Sequence, residues 1–333
     1  MPATVGPMRA VVLTSYGGPE VLTITDVPAP EPGPEEVLVD VASTAINRAD
    51  LLQRMGFYPE PGPKKEHEIP GMEFAGTVAA IGARVAGHAV GDRVMGIVSG
   101  GAYAEQLTVH ERQAMPVPSP VGLPDAGAIP EVFITAYDAL VLQGGLAVGG
   151  WALVHAGASG VGTAAIQLVR AVGARSIVTC SAGKADACRE LGADVVVDYG
   201  SEDFVDAVRT ATGGIGADVV LDVIGGDYVA RNLASTRFDG TIVQVGVMGG
   251  GTAEVPVGDL LRRRITWIGT TLRARPVEAK IAVSQRCAAD LLPLFESGSL
   301  RPVIDRRMSL DEIAEAHEYV ASNANVGKVL ITI

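Results

Sequence analysis

Residues 154–168 read VHAGASGVGTAAIQL, with Gly157, Gly160 and Gly162 crowded between an apolar run and a helix-like continuation. A glycine turn that closes a strand and opens a helix suits a pyrophosphate. Backbone N–H groups at the helix terminus point at the anion, the helix dipole assists, and small residues allow close approach. The spacing here is G-x-x-G-x-G, where the usual fingerprint is G-x-G-x-x-G. Taken alone, it also fits a tight strand-to-helix turn with no ligand. About twenty residues further on, an enzyme of NADH places an acid at the end of its second strand, on the ribose 2′-hydroxyl. That strand ends VTCSAGK, so Ser181, Gly183 and Lys184 stand where the acid would be, and Asp186 falls inside the next helix. A lysine there can neutralise a 2′-phosphate, which favours NADPH. The alternative for Lys184 is an exposed lysine opening a helix.

Other chemistries find little support in the 333 residues. The net charge of −12 argues against nucleic-acid and anionic-membrane partners. The one basic run, Arg262-Arg263-Arg264, reads as a solvated helix end. Cys180, Cys188 and Cys287 are odd in number and not in C-x-x-C spacing. They predict a reducing, cytoplasmic setting without a disulfide framework or cysteine-rich zinc site. No His–carboxylate pair stands at a catalytic spacing, and His110, His155 and His317 read as structural. Ala139 to Val169 carries no formal charge and is long enough to span a bilayer. Its many glycines predict short elements joined by turns instead. No signal peptide is read before RAVVL, and a soluble protein is expected.

The elements that must position these residues follow from pattern. In the first third RAVVLTS, VLTITDV, EVLVDVASTAI, GTVAAIG and DRVMGIV are short β-branched runs bounded by Gly, Pro and Asp. A proline-spaced connector, MPVPSPVGLPDAG, leads to a helix-like AGAIPEVFITAYDALVLQ. From Trp151 strands alternate with helices: WALVHA, RSIVTCS, DVVVDY, ADVVLDVIG, TIVQVGVMG and ITWIGTTL are the strands. Alternation with continuous apolar strands predicts a parallel sheet covered on both faces, and six strands suit the doubly wound nucleotide-binding fold. The tail (RCAADLLPLFESG, RPVIDRRMS, LDEIAEAHEYVASN, GKVLITI) resumes the mixed character of the first third. The expected organisation is a β-rich domain over 1–124, a Rossmann domain over 125–270, and a return to the first domain over 271–333.

Several motifs converge on one family. YGGPEVL, AINRADLLQRMGFYP, PGMEFAGTV, GDRVMGI, GGAYAEQL, ITAYDAL, AGASGVGTAAIQL, LGADVVVDY and NVGKVLITI occur in order from end to end. The chain resembles the quinone oxidoreductase (zeta-crystallin-like) branch of the zinc-independent medium-chain dehydrogenase/reductases. NRADLLQR with AG-x-SGVGTAAIQL resembles most its tumour-suppressor-inducible subgroup. The resemblance implies a GroES-like catalytic domain from the first and last segments, an α/β Rossmann domain inserted between them, and a cleft holding nicotinamide and substrate. Zinc-dependent members of the superfamily carry a cysteine where AINRAD has Asn47, a histidine where PGME has Met72, and a cysteine-rich lobe; no cysteine precedes Cys180 here. A catalytic zinc needs three protein ligands, so no metal is expected. The expected task is then hydride or electron delivery to an acceptor that is already electron-poor, a quinone or an α,β-unsaturated carbonyl.

By the same resemblance Asn47, Tyr58 and Thr135 face nicotinamide and substrate; in the expected mechanism Tyr58 is the candidate donor to the developing oxyanion, with water completing proton transfer. Ser159, Gly160, Val161 and Gly162 hold the diphosphate. Ser181, Gly183, Lys184 and Tyr199 hold the adenosine phosphate end, and Val223, Val247, Met248, Leu272 and Asn325 line the nicotinamide half. The residues alone also allow Asn47 as a strand-end cap, Tyr58 as a surface-loop aromatic and Met248 as core. The expected function is NADPH-dependent quinone reduction. The alternatives are an NADPH-dependent enone or enoyl reductase and a low-turnover NADPH-binding protein with a redox-sensing or structural role. ITWIGTTL, sixth strand and sheet edge, is uncharged and β-branched. Such an edge invites pairing with its own copy, predicting a homodimer through 265–271.

Overall fold

The computed structural model describes residues 6–63 and 65–333. The chain forms two units, one of residues up to Glu131 together with Arg273–Ile333, the other of Val132–Leu272. Along the first segment run β1 (Pro7–Leu13), β2 (Leu22–Pro28), β3 (Glu36–Ala45), α1 (Arg48–Arg54), β4 (Glu73–Ile81), β5 (Arg93–Ile97), β6 (Gln106–His110), β7 (Met115–Pro116), α2 (Leu123–Ala126) and α3 (Pro130–Tyr137). The inserted unit continues with β8 (Trp151–Val154), α4 (Gly160–Ala171), β9 (Arg175–Cys180), α5 (Ala185–Glu190), β10 (Val195–Asp198), α6 (Phe204–Ala211) and β11 (Ala217–Asp222). It closes with α7 (Tyr228–Ser235), β12 (Thr236–Gln244), α8 (Val257–Arg263) and β13 (Thr266–Gly269). The return segment adds α9 (Val277–Glu296), β14 (Ile304–Ser309), α10 (Ile313–Ala321) and β15 (Lys328–Thr332).

In the first unit β1 and β2 pair antiparallel, and a larger sheet runs β14-β15-β3-β4-β5-β7, with β6 also on β3. Period-two alternation in β3 sends Val37, Val39 and Val41 into a core with Phe74, Val78, Val94, Leu107 and Val109. This is the GroES-like β-domain. Its limit at Glu131 has a local cause. The connector helix α2 packs on β3 and β4, and the Glu131 N–H donates to Glu73 Oε2 at 2.9 Å.

The second unit is a six-stranded sheet of order β10-β9-β8-β11-β12-β13, parallel throughout. Leu153, Ile177, Val197, Val220 and Ile242 of its strands pack with Phe204 and Leu233 of its helices. The order is that of a dinucleotide-binding sheet, whose switch point, here between β8 and β11, is where ligands sit outside the carboxyl ends of the strands. The arginine run ends α8: Arg262 pairs with Asp259, Arg264 with Asp239, and Arg263 Nη1 caps the Leu233 carbonyl at 2.7 Å.

Candidate active site

The glycine turn lies at the carboxyl end of β8 and opens α4. Ser159 is the N-cap; its Oγ accepts from the Gly162 N–H at 3.1 Å. The next N–H groups, of Gly160 and Val161, have no acceptor inside the helix and are those that an anion at this terminus would take. Gly162 is required sterically: a Cβ there would stand 2.2 Å from the Ala156 carbonyl oxygen. Sequence reading overlooked what supports the turn from below. The buried Asp222 carboxylate, ending β11, accepts from the Ile224 N–H at 2.6 Å and from Asn232 Nδ2 at 2.9 Å. Asn232 Oδ1 meets His155 Nε2 at 2.7 Å, and His155 Nδ1 meets Thr179 Oγ1 at 3.0 Å. Burial lowers the His155 pKa, keeping the ring neutral. His155 is fully buried, with both ring nitrogens engaged.

Ser181, Gly183 and Lys184 follow β9 directly, in a 3-10 turn capped by Ser181. Tyr199, half-exposed, follows β10, and its N–H donates to the Cys180 carbonyl. The two strand ends are therefore neighbours. The parallel register that pairs Asp198 with Cys180 also places an acid beside the strand-two end, from the next strand over. Asp198 is committed to its own loop: it accepts from the Gly200 N–H at 3.0 Å and the Ser201 hydroxyl at 2.8 Å, which hold its pKa down.

Val223, Val247 and Met248 occupy the loops leaving β11 and β12. These loops are tied together by the Met248 N–H on the Val223 carbonyl at 3.1 Å and the Gly249 N–H on Ile224 at 2.7 Å. Val247 and Met248 are half-exposed, so Met248 is not core. Leu272, half-buried, follows β13, and Thr135 in α3 is the half-buried position in the otherwise buried stretch 132–140.

Asn47, Tyr58 and Asn325 belong to the first unit. Asn47 is the N-cap of α1 rather than an open polar group, and is 6% exposed. Its Nδ2 donates to Glu73 Oε1 at 2.9 Å and to the Ala45 carbonyl at 3.2 Å, while its Oδ1 accepts from Lys328 Nζ at 2.6 Å. Lys328 Nζ also donates to the Ile46 carbonyl at 3.0 Å and pairs with Glu73 Oε1 at 2.8 Å. Lys328 and Glu73 are almost fully buried, and the three ammonium protons meet three oxygens. Sequence reading passed over both. The available signal was a lone charge in each of two apolar runs, MEFAGTV and GKVLITI. Met72, beside Glu73, is buried. Asn325 sits in the loop before β15, its Nδ2 donating to the Gly327 carbonyl at 2.7 Å. Tyr58 is half-buried beyond α1.

A second polar chain adjoins Asn47. Asp50 Oδ2 accepts from the Asn47 N–H at 2.8 Å and the Tyr103 hydroxyl at 3.0 Å. With its proton so placed, the Tyr103 oxygen accepts from His317 Nε2 at 3.2 Å. Burial raises the Asp50 pKa to about 6 and lowers that of His317 to about 3, so His317 is neutral. Asp50 Oδ1 and His317 Nδ1 lack a protein partner. Among the described residues no group of three or more His, Cys, Asp or Glu is placed to hold a metal ion, and no helix is long and apolar enough to cross a membrane.

A GroES-like sheet carrying an inserted dinucleotide-binding sheet defines a medium-chain dehydrogenase/reductase. Comparison with known proteins agrees. Residues 33–119 match the model of the alcohol dehydrogenase GroES-like domain, and residues 160–287 match that of the zinc-binding dehydrogenase. The synaptic vesicle membrane protein VAT-1 homolog of Rattus norvegicus is 32% identical over 98% of this chain and 84% of its own. The quinone oxidoreductase of Pseudomonas aeruginosa is 32% identical over 97% of this chain and 99% of its own. Among solved structures, a mycobacterial protein complexed with NADPH superimposes with a TM-score of 0.87 at 31% identity, covering 98% of this chain and 100% of that one. An NAD-dependent alcohol dehydrogenase gives 0.86 at 32%, with the same coverage. The chain belongs to the zinc-independent quinone oxidoreductase family of medium-chain dehydrogenase/reductases. With that membership comes redox chemistry dependent on a nicotinamide nucleotide.

Proposed function

We propose that the protein is an NADPH-dependent quinone reductase that works without zinc. The observation that carries this reading is the buried cluster at Asn47. Two positions that supply zinc ligands in the zinc-dependent relatives hold an amide and a buried thioether here. Asn47 and Glu73 are already bound to a cation, the Lys328 ammonium at 2.6 and 2.8 Å. That donor set offers no Lewis-acid site to polarise an alcohol or a simple carbonyl. An acceptor whose own electronics invite a hydride fits such a site.

Ser159, Gly160, Val161 and Gly162 are assigned to the diphosphate, at the amino end of α4. Ser181, Gly183, Lys184 and Tyr199 are assigned to the adenosine end, with the Lys184 ammonium on the 2′-phosphate. Val223, Val247, Met248, Leu272, Asn325 and Thr135 line the nicotinamide half. NADPH bound there would supply the hydride. Tyr58 donates a hydrogen bond to the acceptor oxygen as negative charge develops, and water delivers the proton. Asn47 fixes the start of α1, from whose far end the Tyr58 loop departs. The protein's share of the catalysis is mainly orientation and exclusion of water.

Following NADPH oxidation with 1,4-benzoquinone, and with an α,β-unsaturated ketone for comparison, tests the reading. Turnover of the quinone above the protein-free rate is expected. Turnover of the enone alone would replace the quinone by an enone as acceptor, and NADPH binding with no turnover of either would leave a nucleotide-binding protein.

Two further proposals concern assembly and setting. β13 ends the six-stranded sheet, and Trp267 on it is partly exposed. Antiparallel pairing with the same strand of a second copy, about a two-fold axis through 265–271, would cover that edge. The Thr270 N–H donates to the Gln244 carbonyl of β12, so by alternation the Trp267 N–H faces the free edge. Trp267→Pro removes that donor and should shift the native mass from dimer toward monomer. A monomeric native mass at micromolar concentration would refute the dimer. The three cysteines are free and buried, which suits the cytoplasm; cell fractionation tests that placement.

A further inference from the structure

We infer that Arg273 is a positioning residue for Tyr58, and through it for the acceptor. The inference rests on the reading that Tyr58 faces the acceptor. Arg273 is the first residue of the return segment, directly after Leu272, and is 5% exposed. A guanidinium is seldom so buried unless its donors are used. Here Nη1 donates to the Tyr58 carbonyl at 2.8 Å, Nη2 to Gln53 Oε1 at 2.7 Å, and Nε to the Ser99 carbonyl at 2.6 Å. One rigid fork thus joins the last turn of α1, the loop bearing Tyr58 and the loop after β5. The Ser99 hydroxyl returns a bond to the Arg273 carbonyl at 3.2 Å, so the tie is reciprocal.

The same cation lies 5.2 Å from the centre of the Tyr58 ring, within cation–π range. Positive charge near a phenol stabilises its oxyanion form relative to the neutral phenol, and so strengthens the O–H as a donor. Arg273 therefore sets both the place of Tyr58 and the strength of its hydrogen bond. Lysine cannot reproduce this, because a single ammonium has no planar fork to span three acceptors.

The test uses the full chain and four proteins: unaltered, Arg273→Lys, Tyr58→Phe and the double variant. Arg273→Lys should raise KM for 1,4-benzoquinone or lower kcat by on the order of tenfold or more, with the Kd for NADPH unchanged. Amide exchange should quicken at residues 56–60 and 98–101. Because Arg273 acts through Tyr58, the double variant should be little worse than Tyr58→Phe alone. Additive losses, or an Arg273→Lys enzyme with unaltered quinone kinetics, would overturn the inference while leaving the quinone reading intact. No quinone turnover by the unaltered protein would overturn the reading beneath it. If Arg273→Lys does not fold, Gln53→Ala removes one of the three acceptors. It should show a smaller loss with the same non-additivity against Tyr58→Phe, and additivity there would again overturn the inference.

Discussion

Replacing Lys328 by methionine removes a buried ammonium while keeping most of its volume. Three hydrogen bonds disappear, to the Ile46 carbonyl, Asn47 Oδ1 and Glu73 Oε1. Glu73 keeps the Asn47 amide and the Glu131 N–H, but its charge is left without a counter-ion in a site closed to water. Breaking a buried pair from one side costs about 3–5 kcal/mol, mostly the uncompensated charge. For a folding unit of this size, each kcal/mol moves the melting temperature by roughly 2–4 °C, so a fall of about 6–20 °C is expected. Adding Glu73→Gln to Lys328→Met removes the stranded charge and should recover much of the loss. Glu73→Gln alone, which strands the ammonium, should be destabilising. Melting curves of the four proteins, followed by circular dichroism at neutral pH, give the comparison. A Lys328→Met melting point within about 2 °C of the unaltered protein, or a double variant less stable than Lys328→Met, would refute the reasoning.

Asp50 gives the pH prediction. Burial raises its carboxyl from 3.8 to about 6, so the folded state holds this proton more tightly than the unfolded one. The penalty is present in full above pH 6 and fades as pH falls toward 4; on this group's account stability rises on acidification through that window. Asp50→Asn should therefore stabilise the protein at neutral pH by up to roughly 3 kcal/mol and match it near pH 4. A neutral-pH loss of stability in denaturant titrations would contradict this. Lys184→Glu should weaken NADPH binding relative to NADH by on the order of tenfold, the scale of one charge-assisted contact. Fluorescence titrations that show NADH binding more tightly to the unaltered protein would sink the phosphate-site argument.

The strands of the inserted sheet were legible because each carries a short apolar or β-branched run and amphipathic helices separate them, and their number and order gave the strand ends that matter. Ser159 to Gly162 and Ser181 to Lys184 could be placed on those ends from pattern alone. Other elements were less visible. QLTVH forms β6 although its polar residues mute the strand signal; Leu107 and Val109 supply the inward face. The helix read from RCAADLLPLFESG begins earlier, at Val277, because Ile281, Ser284, Cys287, Leu291 and Phe295 continue one buried face through a polar-looking segment. The helix-like AYDALVLQ finishes as a π-helical turn over Asp138–Gln143, a departure that periodicity does not report. Asn47 was legible as a position of interest, but its environment was not. Glu73 and Lys328 lie far apart in sequence and meet only because β15 pairs with β3 and β3 with β4. Asp198 escaped notice for the same reason, since only the register of β10 on β9 brings it beside Cys180.

The central claim is that electrons pass from NADPH to a quinone on this protein. A single-turnover experiment tests it most directly: the protein with one equivalent of NADPH is mixed anaerobically with excess 1,4-benzoquinone, and nucleotide absorbance and hydroquinone are followed together. The account predicts loss of NADPH faster than in protein-free buffer, one hydroquinone per NADPH, and a slower reaction with NADPH deuterated at the transferring position. NADPH that stays bound and unoxidised, or is consumed only at the protein-free rate, would contradict it.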